Sequence, residues 1–238
     1  MTIQLKDFIE IDYTGSIKED GIIFDTTMEA VAKEQQIHNP EMTYGPIIIC
    51  VGEGQVIKGL DNQFIGKEAG EFTIEVPTEQ AFGKKNSKLL KLIPLQVFTK
   101  QNIRPIPGLQ LNMDGVIGTV RSVSGGRIFV DFNHPLSGKD LIYKVKIHRK
   151  IADPKEKLDA FLKMQFGKQA IENSILDSKA TISVPLHLPK DIQETFSSKI
   201  KEIIPEIKEI DFKEPPKEKK ATKDSDEKDT SEKLSPQT

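Results

Sequence analysis

Few residues of this chain have the types and spacing that nucleophilic, metal or nucleotide chemistry requires. Cys50 is the only cysteine, which excludes an internal disulfide and a cysteine-based metal site. The four histidines are scattered along the sequence, so no histidine-rich metal site is predicted. Gly52-x-Gly54 begins like a dinucleotide-binding loop, but the third glycine and the surrounding βαβ unit are missing. We therefore expect no cofactor and no metal.

Four short blocks nevertheless combine apolar residues with single polar residues in a fixed order. They are Phe24-Asp25, residues 52–60 (GEGQVIKGL), Ala81-Phe82-Gly83 and residues 133–141 (NHPLSGKDL). Their order and spacing resemble the signature of the FKBP-type peptidyl-prolyl cis–trans isomerases. The last block is similar to the loop before the final strand in the SlyD-like, long archaeal branch of that family. The resemblance covers about residues 3–150.

The resemblance implies an apolar proline pocket with few reactive groups. An X–Pro bond isomerises slowly because amide resonance sets a barrier of about 18–20 kcal/mol. The twisted transition state loses that resonance and its carbonyl is less polarised, so an apolar cavity favours it over the planar amide. Asp25 would orient the substrate at the rim, and the Ile57 backbone N–H would bind a substrate carbonyl. The pocket would be lined by Tyr13, Phe24, Val56, Ile57, Leu60, Phe82 and Tyr143.

Two positions depart from the family pattern. Leu60 occupies the pocket floor, which is often tryptophan in short members, and the SlyD-like branch shares this change. Phe82 replaces the tyrosine of the usual Ala-Tyr-Gly, so the phenolic hydroxyl that commonly bonds ligand is missing. We expect weaker binding of macrocyclic ligands and retained binding of proline, which rests on apolar surface. Taken singly, Asp25 and His134 would be turn residues and the apolar positions ordinary core.

Periodicity places these blocks on a twisted antiparallel sheet. Residues 8–13 alternate as a half-buried strand, and residues 57–64 indicate one short helix. Thr14-Gly15 and Asp20-Gly21 are the expected turns after the first strand. The predicted fold class is α+β: a twisted antiparallel FKBP sheet that wraps a short helix, with a small β-rich flap domain inserted and a C-terminal αβαβ domain. Further strands are expected at residues 22–24, 47–51, 72–76, 129–132 and 141–147.

Shifts in composition divide the chain into four parts. The insert has apolar residues in a short segment broken by proline and glycine, which indicates either a small core or an exposed surface for unfolded chains. The resemblance favours a chaperone surface there. Its candidate contact residues are Leu95, Val97, Phe98, Ile103, Ile106, Leu109 and Met113. The parts are a catalytic domain (1–83 and 128–152), an insert-in-flap chaperone domain (84–127), a C-terminal α/β domain (153–212) and a disordered charged tail (213–238).

The C-terminal domain is expected to alternate helix and strand. Asp153-Pro154 predicts a capped helix start, and Gly167 predicts the end of that helix. Residues 180–188 and 207–212 read as strands on either side of a helix over residues 190–204. The apolar faces of the two helices would pack on each other or on a second subunit, which leaves a homodimer through this domain open.

Charge and hydropathy indicate the partners and the location. Lys+Arg 34 against Asp+Glu 36 gives a net charge of -2, so neither nucleic acid nor a membrane is an expected partner. No apolar run approaches the roughly 18 residues of a membrane span, and residues 1–12 do not resemble a signal peptide. The single cysteine fits a cytoplasmic location.

The expected partners are unfolded or partly folded proteins and proline-containing peptides, and two other functions remain open. The first is a chaperone or peptide-binding module that has lost turnover, a possibility favoured only by Phe82. The second is an interaction protein whose main task lies in residues 153–212, with the isomerase unit as an anchor.

Overall fold

The first strand of the chain lies in the middle of the largest sheet. The computed structural model describes residues 2–113, 115–167, 171–184 and 188–213. Five strands form this sheet: β1 (Phe8–Ile17), β2 (Ile23–Thr26), β3 (Ile47–Cys50), β4 (Gly70–Val76) and β9 (Leu141–Ile151). All pairs are antiparallel, with β1 paired to β2, β3 and β9, and β9 paired to β4. The twisted antiparallel sheet expected from the sequence is therefore present, closed by the pairing of an early strand with a late one.

Two short helices accompany the sheet, α1 (Glu29–Glu34) and α2 (Lys58–Asp61), and a 3-10 turn (Asn62–Phe64) extends the second. Leu60 and Phe64 project from this second segment into the main core, together with Ile74 and Leu141 from the sheet. Fully burying a side chain of this size stabilises the fold by about 1.5–3 kcal/mol. The segment that immediately precedes α2 is therefore anchored against the sheet.

Residues 90–131 form a second, four-stranded sheet with the order β5-β8-β7-β6. A helix, α3 (Leu95–Lys100), covers it and buries Phe98 against Val120, Ile128 and Val130. The strands are β5 (Leu90–Pro94), β6 (Gln110–Met113), β7 (Val116–Ser124) and β8 (Arg127–Asp131).

The position of strand β8 contradicts a prediction from the sequence. The sequence assigns residues from 128 onward to the catalytic sheet, whereas β8 pairs with β5 and β7. Gly125 and Gly126, with φ of +54° and +76°, join β7 to β8 in a tight hairpin turn that fixes this pairing. Alternation of apolar residues shows that a segment is a strand, but it does not identify its partner strand.

The two connections between the sheets lie side by side. The Asn86 N–H donates to Asn133 Oδ1 at 2.8 Å, and the Phe132 N–H donates to the Leu89 carbonyl at 2.9 Å. The Asp131 carboxylate, 2% exposed, accepts hydrogen bonds from the side chains of Arg121 at 2.9 Å and Lys85 at 3.3 Å. Burial raises the pKa of Asp131, but hydrogen bonds from Asn133, Arg121 and Lys85 outweigh this effect and lower it to about 2. The crossing, that is, the place where the two connecting segments lie side by side, is therefore stabilised by a buried carboxylate.

The C-terminal residues form an αββαβ unit instead of the predicted αβαβ unit. Its elements are α4 (Pro154–Phe166), β10 (Glu172–Leu176), β11 (Lys179–Ser183), α5 (Lys190–Ile203) and β12 (Glu209–Lys213). The predicted start of α4 is confirmed, since the Asp153 carboxylate accepts from the N–H groups of Lys155 and Glu156.

Strand β10 is the element that the sequence does not predict, because its residues, Glu-Asn-Ser-Ile-Leu, do not alternate between apolar and polar types. Asp177 and Ser178, with φ of +47° and +65°, turn the chain back into β11. β11 pairs antiparallel with β10 and parallel with β12. Part of the predicted strand 180–188, residues 185–187, lies outside the described residues, as does the predicted tail from residue 214 onward.

The C-terminal unit shares a core with the catalytic sheet. Phe8, Cys50 and Ile151, at one end of that sheet, belong to the same buried cluster as Leu158 and Phe161 of α4. Their chain neighbours Ile9 and Ile49 face the other side, into the main core. This end of the sheet is thus covered on both faces, which explains the uninterrupted apolar run of β3.

Candidate active site

A cavity of about 720 Å³ opens on the main core, where the ends of several elements meet. The structure brings together seven of the eight residues predicted to form the proline pocket. Leu60 does not line the cavity: it is 1% exposed and lies in the main core. The cavity is lined by Tyr13, Phe24, Asp25, Gly54, Gln55, Val56, Ile57, Phe82, His134, Pro135, Leu136 and Tyr143.

Three aromatic rings form one wall. The ring centroids of Tyr13 and Phe24 each lie 5.9 Å from that of Tyr143, the first tilted by 59° and the second edge-on at 85°. Gly15 allows this arrangement, because a Cβ there would lie 2.8 Å from the Phe24 ring and 2.9 Å from the Tyr143 ring. The sequence predicts a turn at Thr14-Gly15, but β1 continues through it. Gly15 therefore serves ring packing and makes no turn.

Asp25 is held at the edge of this wall by a phenol. The Tyr13 hydroxyl donates to Asp25 Oδ2 at 2.8 Å. Burial, followed by the charge and the hydrogen bond of Asp25, raises the pKa of Tyr13 well above its ordinary value, and burial together with Asp25 also raises that of Tyr143. Both phenols are therefore neutral donors at physiological pH. The Tyr143 hydroxyl makes no hydrogen bond to any described residue, which leaves it free for a ligand.

A loop, residues 52–57, forms a second wall. Asp61, a buried residue of α2, accepts hydrogen bonds from the N–H groups of Gly52 at 2.9 Å and Gly54 at 3.1 Å. The Gln55 side chain accepts from the Cys50 N–H at 2.6 Å. These bonds fix the loop, while the Ile57 N–H has no partner within the described parts of the chain. A backbone donor thus remains available at the cavity, where the resemblance predicts it.

The third wall is a stacked pair of rings from two distant segments. Phe82 and His134 stack with their centroids 4.2 Å apart and their planes 2° from parallel. The Leu136 N–H donates to His134 Nδ1 at 3.2 Å, so the neutral ring carries its proton on Nε2. Ser137 Oγ donates to the Phe82 carbonyl at 3.2 Å and ties the two segments together. His134 is therefore both a turn residue and part of the wall.

Sequence reasoning leaves out several residues that shape this cavity. Gly15 matters because it has no side chain, and Asp61 matters because its carboxylate binds N–H groups of the loop. Both contacts form only in the folded chain, and neither residue stands in one of the four sequence blocks. His134 is the exception, since its position inside the NHPLSGKDL block offers a signal. The cavity combines the Asp25 carboxylate, the Tyr143 hydroxyl and the Ile57 N–H with mainly apolar walls, a composition suited to holding an apolar ring and an amide.

The predicted chaperone residues fall into three groups in the structure. Leu95 and Ile106 are exposed, while Val97, Ile103, Leu109 and Met113 are partly buried. Phe98 is 2% exposed and forms the core of the insert, because it lies on the face of α3 that packs on the sheet. Its predicted role as a contact residue is therefore wrong.

Other apolar side chains of the insert face solvent. Leu92 of β5 and Phe129 of β8 are paired across the sheet and are 52% and 37% exposed. Exposed positions that the sequence does not single out include Leu89, Leu92, Val116, Ile117, Val123 and Phe129.

Two kinds of feature are not found among the described residues. No helix there is long and apolar enough to cross a membrane. No group of three or more histidine, cysteine, aspartate or glutamate side chains in the same part of the chain could hold a metal ion.

The comparisons with known proteins agree with the geometry. Residues 91–136 match the family model of the FKBP26 IF domain. A short-type peptidyl-prolyl cis-trans isomerase of Methanocaldococcus jannaschii is 34% identical over 146 residues, which cover 61% of this chain and 92% of that protein. A probable FKBP-type 16 kDa isomerase of Pseudomonas fluorescens is 32% identical over 43% of this chain and 71% of that protein. SlyD of Vibrio cholerae is 27% identical over 54% of this chain and 59% of that protein. The chain belongs to the FKBP-type peptidyl-prolyl cis–trans isomerase family.

Proposed function

We propose that this protein catalyses the cis–trans isomerisation of X–Pro bonds in the cavity between Tyr13, Ile57 and Phe82. The observation that carries the proposal is an apolar cavity lined by three aromatic rings and by Ile57, whose backbone N–H has no partner among the described residues. The proline ring fits the apolar walls, and the Ile57 N–H holds a substrate carbonyl. Because the walls solvate a polar planar amide poorly, the twisted amide is favoured, and no nucleophile is needed.

The site holds its polar groups in place before substrate binds. Asp25 is fixed by the Tyr13 hydroxyl, and the loop that presents Ile57 is fixed by Asp61. Preorganised groups of this kind reduce the cost of ordering a substrate in a reactive geometry.

Isomerisation of a short X–Pro peptide tests this function. We expect turnover by the wild-type protein and a fall in kcat/KM of roughly ten-fold or more in Asp25→Ala, because the orienting carboxylate is lost. Glu19→Ala, an exposed residue in the neighbouring hairpin, is the matched control and should retain wild-type kcat/KM. The absence of turnover in the wild type would contradict the proposal and favour a peptide-binding module, the alternative to which the missing hydroxyl at Phe82 points.

We further propose that the insert, predicted as residues 84–127 and extended by β8 to residue 131, binds unfolded chains. The support is the exposed apolar surface of its sheet, above all the Leu92 and Phe129 pair, since a contiguous apolar patch is typical of an interaction site. Holding an unfolded chain next to the cavity raises the local concentration of its X–Pro bonds. The partners are then unfolded or partly folded proteins and proline-containing peptides, and a cytoplasmic location stays a prediction.

Aggregation suppression and the refolding of a proline-limited protein test the insert. We expect Leu92→Ser combined with Phe129→Ser to weaken both activities and to leave peptide kcat/KM unchanged. Ile22→Ser, at an apolar position outside the insert that is 58% exposed, is the matched control and should change neither. If the double variant protects an aggregating protein as well as wild type does, this surface is not the binding site.

A homodimer through the C-terminal unit is also proposed. β10 is an edge strand of its sheet, and Leu176 and Ile192 are exposed apolar side chains of the same unit. Unpaired edges and exposed apolar residues are typical of association surfaces. A sizing measurement that finds only monomer at tens of micromolar would remove this proposal.

A further inference from the structure

The C-terminal unit touches the loop that forms one wall of the cavity. Lys199, in the middle of α5, lies with its Nζ 2.5 Å from Glu53 Oε2. The Glu53 side chain is only 14% exposed, so this ion pair is partly shielded from water. Gly54 and Gln55, the next two residues of the loop, line the cavity directly.

A second ion pair reinforces the contact. Glu202, one turn after Lys199 on α5, lies 3.4 Å from Lys199 and 2.9 Å from Lys6. The Lys6 N–H donates to the Val51 carbonyl at 2.9 Å, immediately before the loop. A row of four alternating charges thus links α5 to the catalytic part of the chain: Lys6, Glu202, Lys199 and Glu53. The hydrogen bond to Glu53 is the main cause that raises the pKa of Lys199, so its ammonium stays charged.

The loop itself is held from inside by few bonds. Asp61 fixes the N–H groups of Gly52 and Gly54, the Gln55 side chain accepts from the Cys50 N–H, and the Glu53 N–H donates to the Cys50 carbonyl at 3.3 Å. None of these bonds restrains the Glu53 side chain, for which Lys199 is the ion-pair partner. The outer side of the loop is therefore fixed by the C-terminal unit.

We propose that Lys199 is a positioning residue of the isomerase site: through Glu53 it holds loop 52–57 so that Val56 and the Ile57 N–H are set for the substrate. The C-terminal unit then completes the active site. This inference rests on the proposed isomerase function. A preset loop loses less freedom when substrate binds, so the effect falls on KM more than on kcat.

Peptide isomerisation by the full chain, with Lys199→Gln and Lys199→Arg, tests the inference. We expect Lys199→Gln to raise KM about two- to five-fold at low salt, the size expected from a partly exposed ion pair, with kcat little changed. Lys199→Arg keeps the charge and should restore KM. Lys201→Gln, an exposed residue of the same helix, is the matched control and should behave as wild type.

Two further readouts separate positioning from a general loss of structure. The difference in KM between wild type and Lys199→Gln should shrink at high salt, and Glu53→Gln should add nothing to Lys199→Gln. Amide hydrogen exchange at residues 53–57 should be faster in Lys199→Gln, with the melting temperature nearly unchanged. Wild-type turnover with an unchanged KM and unchanged exchange in Lys199→Gln would overturn only the role of Lys199. No turnover in the wild type would overturn the isomerase function as well.

Discussion

At the scale of single residues, the cavity depends on the missing side chain of a glycine as well as on the rings that line it. Gly15 has no Cβ, and the rings of Phe24 and Tyr143 occupy the space that one would need. Strand interiors disfavour glycine, so its presence in the middle of β1 is explained by this close approach.

We expect Gly15→Ala to separate the two rings and enlarge the aromatic wall. The added methyl group would cost about 1–3 kcal/mol of stability, as overpacking commonly does, and would lower kcat/KM at least about ten-fold. Urea unfolding and peptide isomerisation measure the two effects. Ser16→Ala, the next residue of β1, serves as control and should leave kcat/KM unchanged. Full activity in Gly15→Ala would show that the rings adapt without loss.

The sequence predicts which residues form the site better than it predicts the contacts that these residues make with one another. Phe24-Asp25, Val56-Ile57 and Phe82 are found because they stand in blocks with fixed order and spacing. The bond between Asp61 and the loop glycines, and the stack of Phe82 on His134, join atoms whose meeting depends on the whole fold. No local pattern encodes such pairs.

At the scale of elements, the crossing between the two sheets is built around the buried carboxylate of Asp131. Asp131 ends β8 and links Arg121 of β7 to Lys85 of the outgoing segment. Asn133, two residues later, bridges back to Asn86. The orientation of the insert relative to Phe82 and His134 is thus set within a few residues of the cavity wall.

We expect Asp131→Asn to lower the free energy of unfolding by about 2 kcal/mol at neutral pH, because a pKa near 2 stabilises the folded state above the ordinary aspartate pKa of about 3.9. This advantage is lost as the pH falls toward about 2, so the gap between wild type and variant should close there. Urea unfolding at several pH values measures it. Asp211→Asn, which removes an exposed ion pair with Lys179, is the control and should cost well under about 1 kcal/mol. A gap that stays constant with pH would contradict this assignment.

Element boundaries show where sequence patterns stop being informative. The pattern identifies 129–132 as strand, yet whether this strand joins the first or second sheet depends on the turn at Gly125-Gly126 and on β5. β10 is missed because its residues do not alternate between apolar and polar types. The helix start at Asp153-Pro154 is predicted well because capping is a local interaction.

At the scale of the whole molecule, the catalytic sheet and the C-terminal unit share one core and should unfold together. Leu158 of α4 is fully buried in the cluster that contains Phe8 and Ile151 of the sheet. Two separate domains joined only by a linker would have no such cluster.

We expect Leu158→Ala to destabilise both parts together, by about 2–5 kcal/mol, the usual cost of a large cavity in a core. Since the chain has no tryptophan, tyrosine fluorescence reports the catalytic part through Tyr13, Tyr44 and Tyr143, while far-ultraviolet circular dichroism also reports α4 and α5. The two transitions should coincide and shift together in urea. Leu176→Ala, at a position 75% exposed, is the control and should have little effect. A variant whose tyrosine signal keeps its wild-type midpoint would show that the two parts unfold independently.

The pairing of Phe8 with Ile151 also has a consequence for synthesis on the ribosome. The central strand β1 emerges first, but its longest partner, β9, is translated only after the whole insert. The end of β9 follows the end of β8 by 20 residues. At about 5–20 residues per second, the insert is therefore complete roughly 1–4 seconds before the catalytic sheet can close. Throughout that interval β1 presents an open edge. The first unfolded segment within reach of the proposed holding surface is therefore the unfinished catalytic domain of the same nascent chain.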